Sequence, residues 1–355
     1  MTDPRGDSAV APRAVLVIGA TGYVGSRLVP RLLADGARVS VLVRSPDKLE
    51  DVPWREAVTV HRGGLEDEET LTAALSQVDV ACHLVHAMGT SPDFVREERE
   101  TARTFVRAAE AAGIDRIVHL SGLHPPGEDD LSDHLRSRVE VGRVLLGSSV
   151  PALVLQAGVV IGSGSASFEM IRHLTSRLPA MVTPKWVGNR IQPIAVADVM
   201  HYLSAAVGCS IGGSRTIDVG GPDVLTYGEM MQVFAEEAGL HRRIMLPVPL
   251  LTPTLSALWS GLVTPLPRGL AGPLIESLRS EAIVQRDDAE SVLGAPAGGR
   301  TGYRDAVRQA LRVPIGPRKP ASWPEADPLG DPATQLPSDA DWAGVRPPVL
   351  WRAGS

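Results

Sequence analysis

The run Val15-Leu-Val-Ile-Gly19-Ala-Thr-Gly22-Tyr-Val-Gly25 sets three glycines at a G-x-x-G-x-x-G spacing directly after a β-branched apolar stretch. An apolar-periodic segment follows at once. The pattern reads as a buried strand, a tight turn and a helix N-terminus. Its glycines permit the turn, a close backbone approach and close helix–strand packing, and the unbonded N–H groups of the helix attract a pyrophosphate. The next apolar run, Val39-Ser-Val-Leu-Val43, ends in Arg44-Ser45 with Lys48 close behind and no acid at the strand end. An acid there would accept from a ribose 2′-hydroxyl, whereas an arginine suits a 2′-phosphate, so the residues predict NADP(H).

A second set of residues could position or move protons. His134 and Arg138 stand four apart in an expected helix and so share one face. Histidine titrates near neutrality and can serve as acid or base. Arginine stays protonated and can hold hydroxyls but relays no proton, and its charge lowers the pKa of a neighbouring histidine. Five of the nine histidines, at 83, 86, 119, 124 and 134, gather near the ends of the fourth and fifth expected strands. His83 and His86 are three apart on a strand and should face opposite sides, and there is no H-E-x-x-H or cysteine partner set, so no metal site is expected. Ser121 lies in Leu-Ser-Gly rather than G-x-S-x-G, which argues against a serine hydrolase. The glycine loop lacks a following Lys-Ser/Thr, which argues against nucleoside triphosphate hydrolysis.

The elements that must hold these residues alternate between strand and helix from residue 14 to 157. Strands are expected at 14–19, 38–43, 57–60, 79–85, 115–121 and 152–157. Helices are expected at 22–34, 68–76, 92–112, 132–149, 196–207 and 226–238. That order predicts βαβ units and a doubly wound parallel α/β sheet of Rossmann type. Pro30 should kink the first helix, and Thr226 with Glu229 should cap the last as a capping box. The expected organisation is a polar tail over 1–12 and an NADP(H)-binding domain over 13–162, to which 195–221 returns a helix and a strand. A smaller substrate lobe over 163–194 and 222–312 follows, then a proline-rich extended tail over 313–355. Within the lobe, 244–267 carries no charge but five prolines, at 247, 249, 253, 265 and 267. The prolines argue against a spanning helix; an apolar lid or a peripheral membrane contact fits better.

A chain of 355 residues with 44% hydrophobic and 21% charged residues is ordinary for a globular protein. Its net charge of −6, with no basic cluster, argues against nucleic acid as a partner. Two distant cysteines, Cys82 and Cys209, and a polar N-terminus point to the cytoplasm. A small-molecule substrate is the expected partner.

Gly19-Ala-Thr-Gly22-Tyr-Val-Gly25, Leu42-Val-Arg44-Ser-Pro, Leu120-Ser121-Gly122 and Leu155-Gln-Ala-Gly158-Val-Val-Ile-Gly162 together resemble the extended and atypical branches of the short-chain dehydrogenase/reductase superfamily. His134-Leu-Arg-Ser-Arg138, Gly162-Ser-Gly-Ser-Ala-Ser-Phe-Glu-Met170 and Gly220-Gly-Pro-Asp223 are similar to its NAD(P)H-binding, NmrA-like and epimerase-like members. The likeness runs from about residue 13 to 312. It implies that the loop Gly19, Thr21, Gly22, Tyr23, Val24 and Gly25 holds the pyrophosphate and Arg44 the 2′-phosphate. It further implies that Leu65 lies near adenine, Leu84, Val85 and His86 near ribose and nicotinamide, and Ala157, Gly158, Val159 and Val160 against the nicotinamide. Relatives often carry an aspartate toward adenine where this chain has Gly64, so adenine recognition is expected to rest on backbone groups.

The superfamily's catalytic serine corresponds to Ser121, but its Tyr-x-x-x-Lys pair is replaced by His134-x-x-x-Arg138; its asparagine position aligns best with Glu98. The resemblance implies either an NADPH-dependent oxidoreductase using Ser121, His134 and Arg138, or a non-catalytic NADP(H)-binding redox sensor or scaffold. A sugar-nucleotide epimerase fits less well without the tyrosine and lysine. For an oxidoreductase, the expected substrate is a small, largely apolar carbonyl or activated alkene. Longer relatives carry a further domain after a segment similar to Leu336-Pro-Ser-Asp-Ala-Asp-Trp-Ala-Gly344.

Overall fold

The computed structural model describes residues 13–85, 93–127, 131–210, 212–247, 266–312, 336, 339–344 and 347. His86, the tail over 1–12 and most of the stretches 244–267 and 313–355 lie outside the described residues.

Seven parallel strands form the central sheet: β1 (Ala14–Ile18), β2 (Arg38–Val43), β3 (Thr59–Arg62), β4 (Val80–His83), β5 (Arg116–Gly122), β6 (Ala152–Ala157) and β11 (Arg215–Val219). Their order across the sheet is β11-β6-β5-β4-β1-β2-β3. The chain therefore winds one way from β1 and the other way from β4, and a crevice opens between those strand ends, where such sheets take ligands. β1, Ala-Val-Leu-Val-Ile, is buried at every position because helices cover both faces of a parallel sheet.

On one face α1 (Gly25–Ala34) and α6 (Val196–Gly208) share a core with the sheet through Leu28, Val29, Leu32, Val199 and Leu203. On the other, α2 (Glu68–Leu75), α3 (Phe94–Ala112) and α4 (Asp133–Leu146) contribute Leu71, Phe105, Ala109, Val141 and Leu145. Burying each of the leucines is worth about 1.5–3 kcal/mol.

A second core holds the C-terminal lobe together. It joins α5 (Ala166–Arg177), α7 (Tyr227–Glu237) and the helices Arg268–Ser277 and Tyr303–Arg312 through Phe168, Ile171, Tyr227, Phe234, Ile275 and Val307. Short strand pairs tie its loops. β7 (Val160–Ile161) pairs with β10 (Ile194–Ala195), β9 (Arg190–Ile191) with β12 (Leu225–Thr226), and β8 (Ala180–Thr183) with β13 (Ile244–Pro247).

Three details differ from the sequence reading. The first helix begins at Gly25 rather than 22, because Ala20–Val24 form the turn that brings β1 into it. Pro30 lies inside that helix, as expected, and the helix continues past it to Ala34; the structure adds a partner that the sequence did not show. Pro30 offers no N–H to the carbonyl of Ser26, and the buried Trp54 indole N–H donates to it instead at 3.1 Å. Finally, the C-terminal stretch is not tail throughout. Asp339 is buried and accepts two hydrogen bonds from the buried guanidinium of Arg27, at 2.7 and 2.8 Å. The expected capping box at Thr226 and Glu229 is present. No helix among the described residues is long and apolar enough to cross a membrane.

Candidate cofactor and active site

Two of the loop's glycines are required by their surroundings. Gly19 has φ +96°, and a Cβ there would stand 3.0 Å from the carbonyl of Leu84 at the end of β4. At Gly25 a Cβ would stand 2.2 Å from the Gly19 carbonyl oxygen. Between them, the Gly22 N–H donates to Gly19 O and the Ser26 N–H to Gly22 O, both at 3.0 Å, which closes the turn. α1 starts without a side-chain cap, and the residues at its start, Tyr23, Val24 and Gly25, border the second cavity.

Two cavities meet at Gly19. The first, of about 330 Å³, is lined by Gly19, Thr21, Arg44, Gly63, Gly64, Leu65, Glu66, Val85, Glu97 and Glu98. Arg44 is exposed at its rim and makes no ion pair among the described residues. Glu66 fills the space beside Gly64. A Cβ built on Gly64 would fall 2.3 Å from a Glu66 carboxylate oxygen, so the carboxylate occupies the place a side chain at 64 would take. The sequence reading gave this neighbourhood to backbone groups; the Glu66 side chain was missed because nothing local to it forecasts that it folds back over a glycine.

The second cavity, of about 280 Å³, lies on the other side of the loop. Gly22, Tyr23, Val24 and Gly25 form its floor, with Leu84, Ser121, His134, Arg138, Ala157, Gly158, Val159 and Val160 around them. Tyr227, Ile191, Leu274 and Leu278 close it from the lobe. Apart from His86, each residue given a cofactor-binding or catalytic role from the sequence thus borders one of the two cavities. Among the described residues no group of three or more histidine, cysteine or acidic side chains could hold a metal ion. His83 and His119 instead face each other, Nδ1 to Nδ1, at 3.1 Å inside the sheet.

α4 carries His134 and Arg138 on adjacent turns. Ser132 caps it, its side chain accepting from the Leu135 N–H at 3.2 Å. His134 is 5% exposed. Burial, reinforced by the Arg138 charge, pushes its pKa down to about 3, so its imidazole is neutral at physiological pH. The Arg138 guanidinium lies against Gly122: a Cβ on that glycine would stand 3.2 Å from an Arg138 Nη. Burial lowers the Arg138 pKa and the Glu98 carboxylate opposes that shift. Its Nε is buried with no hydrogen-bond partner among the described residues. Glu98 also accepts a hydrogen bond from Ser137, which anchors α3 to α4 behind the cavity. The site offers a half-buried fixed cation, a hydroxyl and a neutral imidazole around an apolar space.

Comparison with known proteins agrees with this layout. A family model described as NAD(P)H-binding matches residues 19–142. A sterol demethylase protein B of Methylococcus capsulatus is 33% identical over 259 residues, covering 66% of this chain and 77% of that one. A mitochondrial NADH dehydrogenase 1 alpha subcomplex subunit 9 of Arabidopsis thaliana is 25% identical over 256 residues, and the chain spans 63% of that relative's length. The solved triphenylmethane reductase of Citrobacter sp. in complex with NADP(H) superimposes with a TM-score of 0.66 at 17% identity, over 83% of this chain and 99% of that one.

Proposed function

The chain belongs to the atypical, NAD(P)H-binding branch of the short-chain dehydrogenase/reductase superfamily, and we propose that within it this protein is an NADPH-dependent reductase of a largely apolar carbonyl or activated alkene. The observation that carries the cofactor preference is Arg44. It ends β2, lines the first cavity and has no ion-pair partner among the described residues, and no acid stands at the strand end. A 2′-phosphate would pair with it, and a ribose 2′-hydroxyl would find no carboxylate there. The residues fit the rest of the group. Gly19 and Gly25 form a turn with no room for a Cβ, so its backbone borders both cavities closely, and the Glu66 carboxylate that lines the first cavity would be an acceptor for the adenine amino group.

Bound in this way, NADPH supplies a hydride. The chain's own residues do the remainder. Arg138 stabilises the negative charge that grows on the substrate oxygen, in a desolvated site where a fixed cation acts strongly. Ser121 donates a hydrogen bond to that oxygen and passes its proton to it as hydride reaches the carbon, and water reprotonates the serine. His134, neutral at physiological pH, orients the oxygen through a ring N–H rather than acting as a cationic acid. The walls of Leu84, Leu123, Met170, Leu274 and Leu278 suit an apolar substrate body, in keeping with a relative named for sterols.

Arg44→Ala tests the cofactor assignment. We expect NADPH affinity to fall about ten- to a hundredfold, the loss of a charged phosphate contact, with NADH affinity unchanged in the same fluorescence titration. An unaltered NADPH preference would remove Arg44 from the site. A second reading, an NADP(H)-binding scaffold, is supported by the missing Tyr-x-x-x-Lys pair and by the similarity to a mitochondrial NADH dehydrogenase alpha subcomplex subunit.

A further inference from the structure

We propose that the outward face of the β8–β13 ribbon is a docking surface for an anionic lipid bilayer. In β8 the pattern of exposure is strictly alternating, with Ala180 and Val182 exposed and Met181 and Thr183 buried. In β13, Ile244 and Leu246 are exposed on either side of the half-buried Met245. The parallel register sets Ile244 beside Ala180 and Leu246 beside Val182, so the four side chains form one continuous apolar patch. Val182, Ile244 and Leu246 are 55%, 51% and 59% exposed; Val224 is the one further large hydrophobic exposed among the described residues. The inward residues explain why the patch stands out. Met181 and Met245 pack into the lobe core and fix the ribbon with its apolar side turned to solvent.

Charge decides the occupant. Arg242 lies exposed just before β13 and Lys185 just after β8, so a cation stands toward each end of the ribbon. The chain as a whole carries −6. An apolar patch with a cation toward each end, on a chain of net negative charge, matches anionic headgroups above acyl chains. The sequence that leaves β13 continues without a charged residue to Pro267. None of these residues borders either cavity, so docking is separable from cofactor binding and does not depend on the proposed reductase activity.

The test uses the full chain and vesicles of phosphatidylcholine, with and without phosphatidylglycerol, in a flotation assay. Wild type should float with the phosphatidylglycerol vesicles and do so less at high salt. Val182→Glu with Leu246→Glu should weaken that partition at least about tenfold, and Lys185→Glu with Arg242→Glu should weaken it on anionic vesicles alone. Val224→Glu should leave it unchanged, and every variant should titrate with NADPH as wild type does, which shows that it is folded. Failure of wild type to float, or flotation of the Val182/Leu246 variant like wild type, would overturn the proposal. So would a shift of that variant from dimer to monomer in sedimentation without any vesicle binding, which would give the face to a second copy of the chain.

Discussion

Replacing Arg138 with methionine should lower kcat/KM for the reduced carbonyl by about a hundred- to a thousandfold, while NADPH still binds. That is the usual cost of losing a preorganised donor at a developing oxyanion. Arg138 is well placed to act in this way. α4 holds it against Gly122, at the cavity that Ser121 and the Gly22–Gly25 turn also line, and its Nε has no hydrogen-bond partner among the described residues. Arg138 is half-buried at the cavity wall, where its charge is screened less than in open solvent and acts more strongly on the substrate oxygen. Lysine keeps the charge but not the planar fork, and Arg138→Lys should fall between wild type and methionine. The methionine variant also carries a second signature. Arg138 helps hold the His134 pKa down at about 3, so without it His134 should titrate higher. The pH–rate profile, flat above pH 5 in wild type, should then bend at a higher pH. Unchanged kcat/KM in Arg138→Met would remove the oxyanion role.

Asp339→Ala should destabilise the protein by about 3–5 kcal/mol, the range for removing one partner of a buried ion pair. Arg27 and Asp339 meet at 2.7 Å with side chains 2% and 1% exposed. Arg27 sits in the first turn of α1, donates to the Tyr23 carbonyl at 3.0 Å and stacks on the Tyr23 ring at 3.9 Å. Tyr23 belongs to the glycine turn, so the C-terminal stretch buttresses the loop that we assign to the pyrophosphate. Loss of Asp339 should therefore weaken NADPH binding as well as lower the urea midpoint. Replacing both partners, Arg27→Met with Asp339→Leu, should recover much of the stability because neither charge is then buried alone. A midpoint within experimental error of wild type for Asp339→Ala would show that the pair contributes nothing.

The strength of the sequence reading followed from how locally each feature is encoded. β1, β2, β5 and β6 were legible because strands largely buried on both faces read as predominantly apolar runs between turn residues. The third strand slid from 57–60 to Thr59–Arg62 because Arg55–Ala57 take a short 3-10 turn, a local choice that apolar spacing does not mark. In the lobe, β7, β9, β10 and β12 are two residues long and pair with segments far along the chain, so no window of sequence carries their signal. The glycine turn, Arg44 and the His134–Arg138 spacing were readable as residue types at fixed offsets. Two things were not. The Glu66 carboxylate folds back over Gly64, and Asp339 reaches Arg27 across 312 residues. The first depends on a side-chain conformation that residue types do not fix, and the second on three-dimensional proximity alone.

The central claim is that this chain transfers hydride from NADPH to a carbonyl or alkene carbon in the cavity beside Arg138. The most direct measurement incubates the purified protein with NADPH deuterated at one or the other face of the nicotinamide C4, together with a metabolite extract, and searches the products by mass spectrometry. The account predicts deuterium in an apolar product from one face only, dependent on active protein and strongly reduced in Arg138→Met. Tight NADPH binding with no deuterium leaving the cofactor, in extract after extract, would contradict it and leave an NADP(H)-binding scaffold in its place.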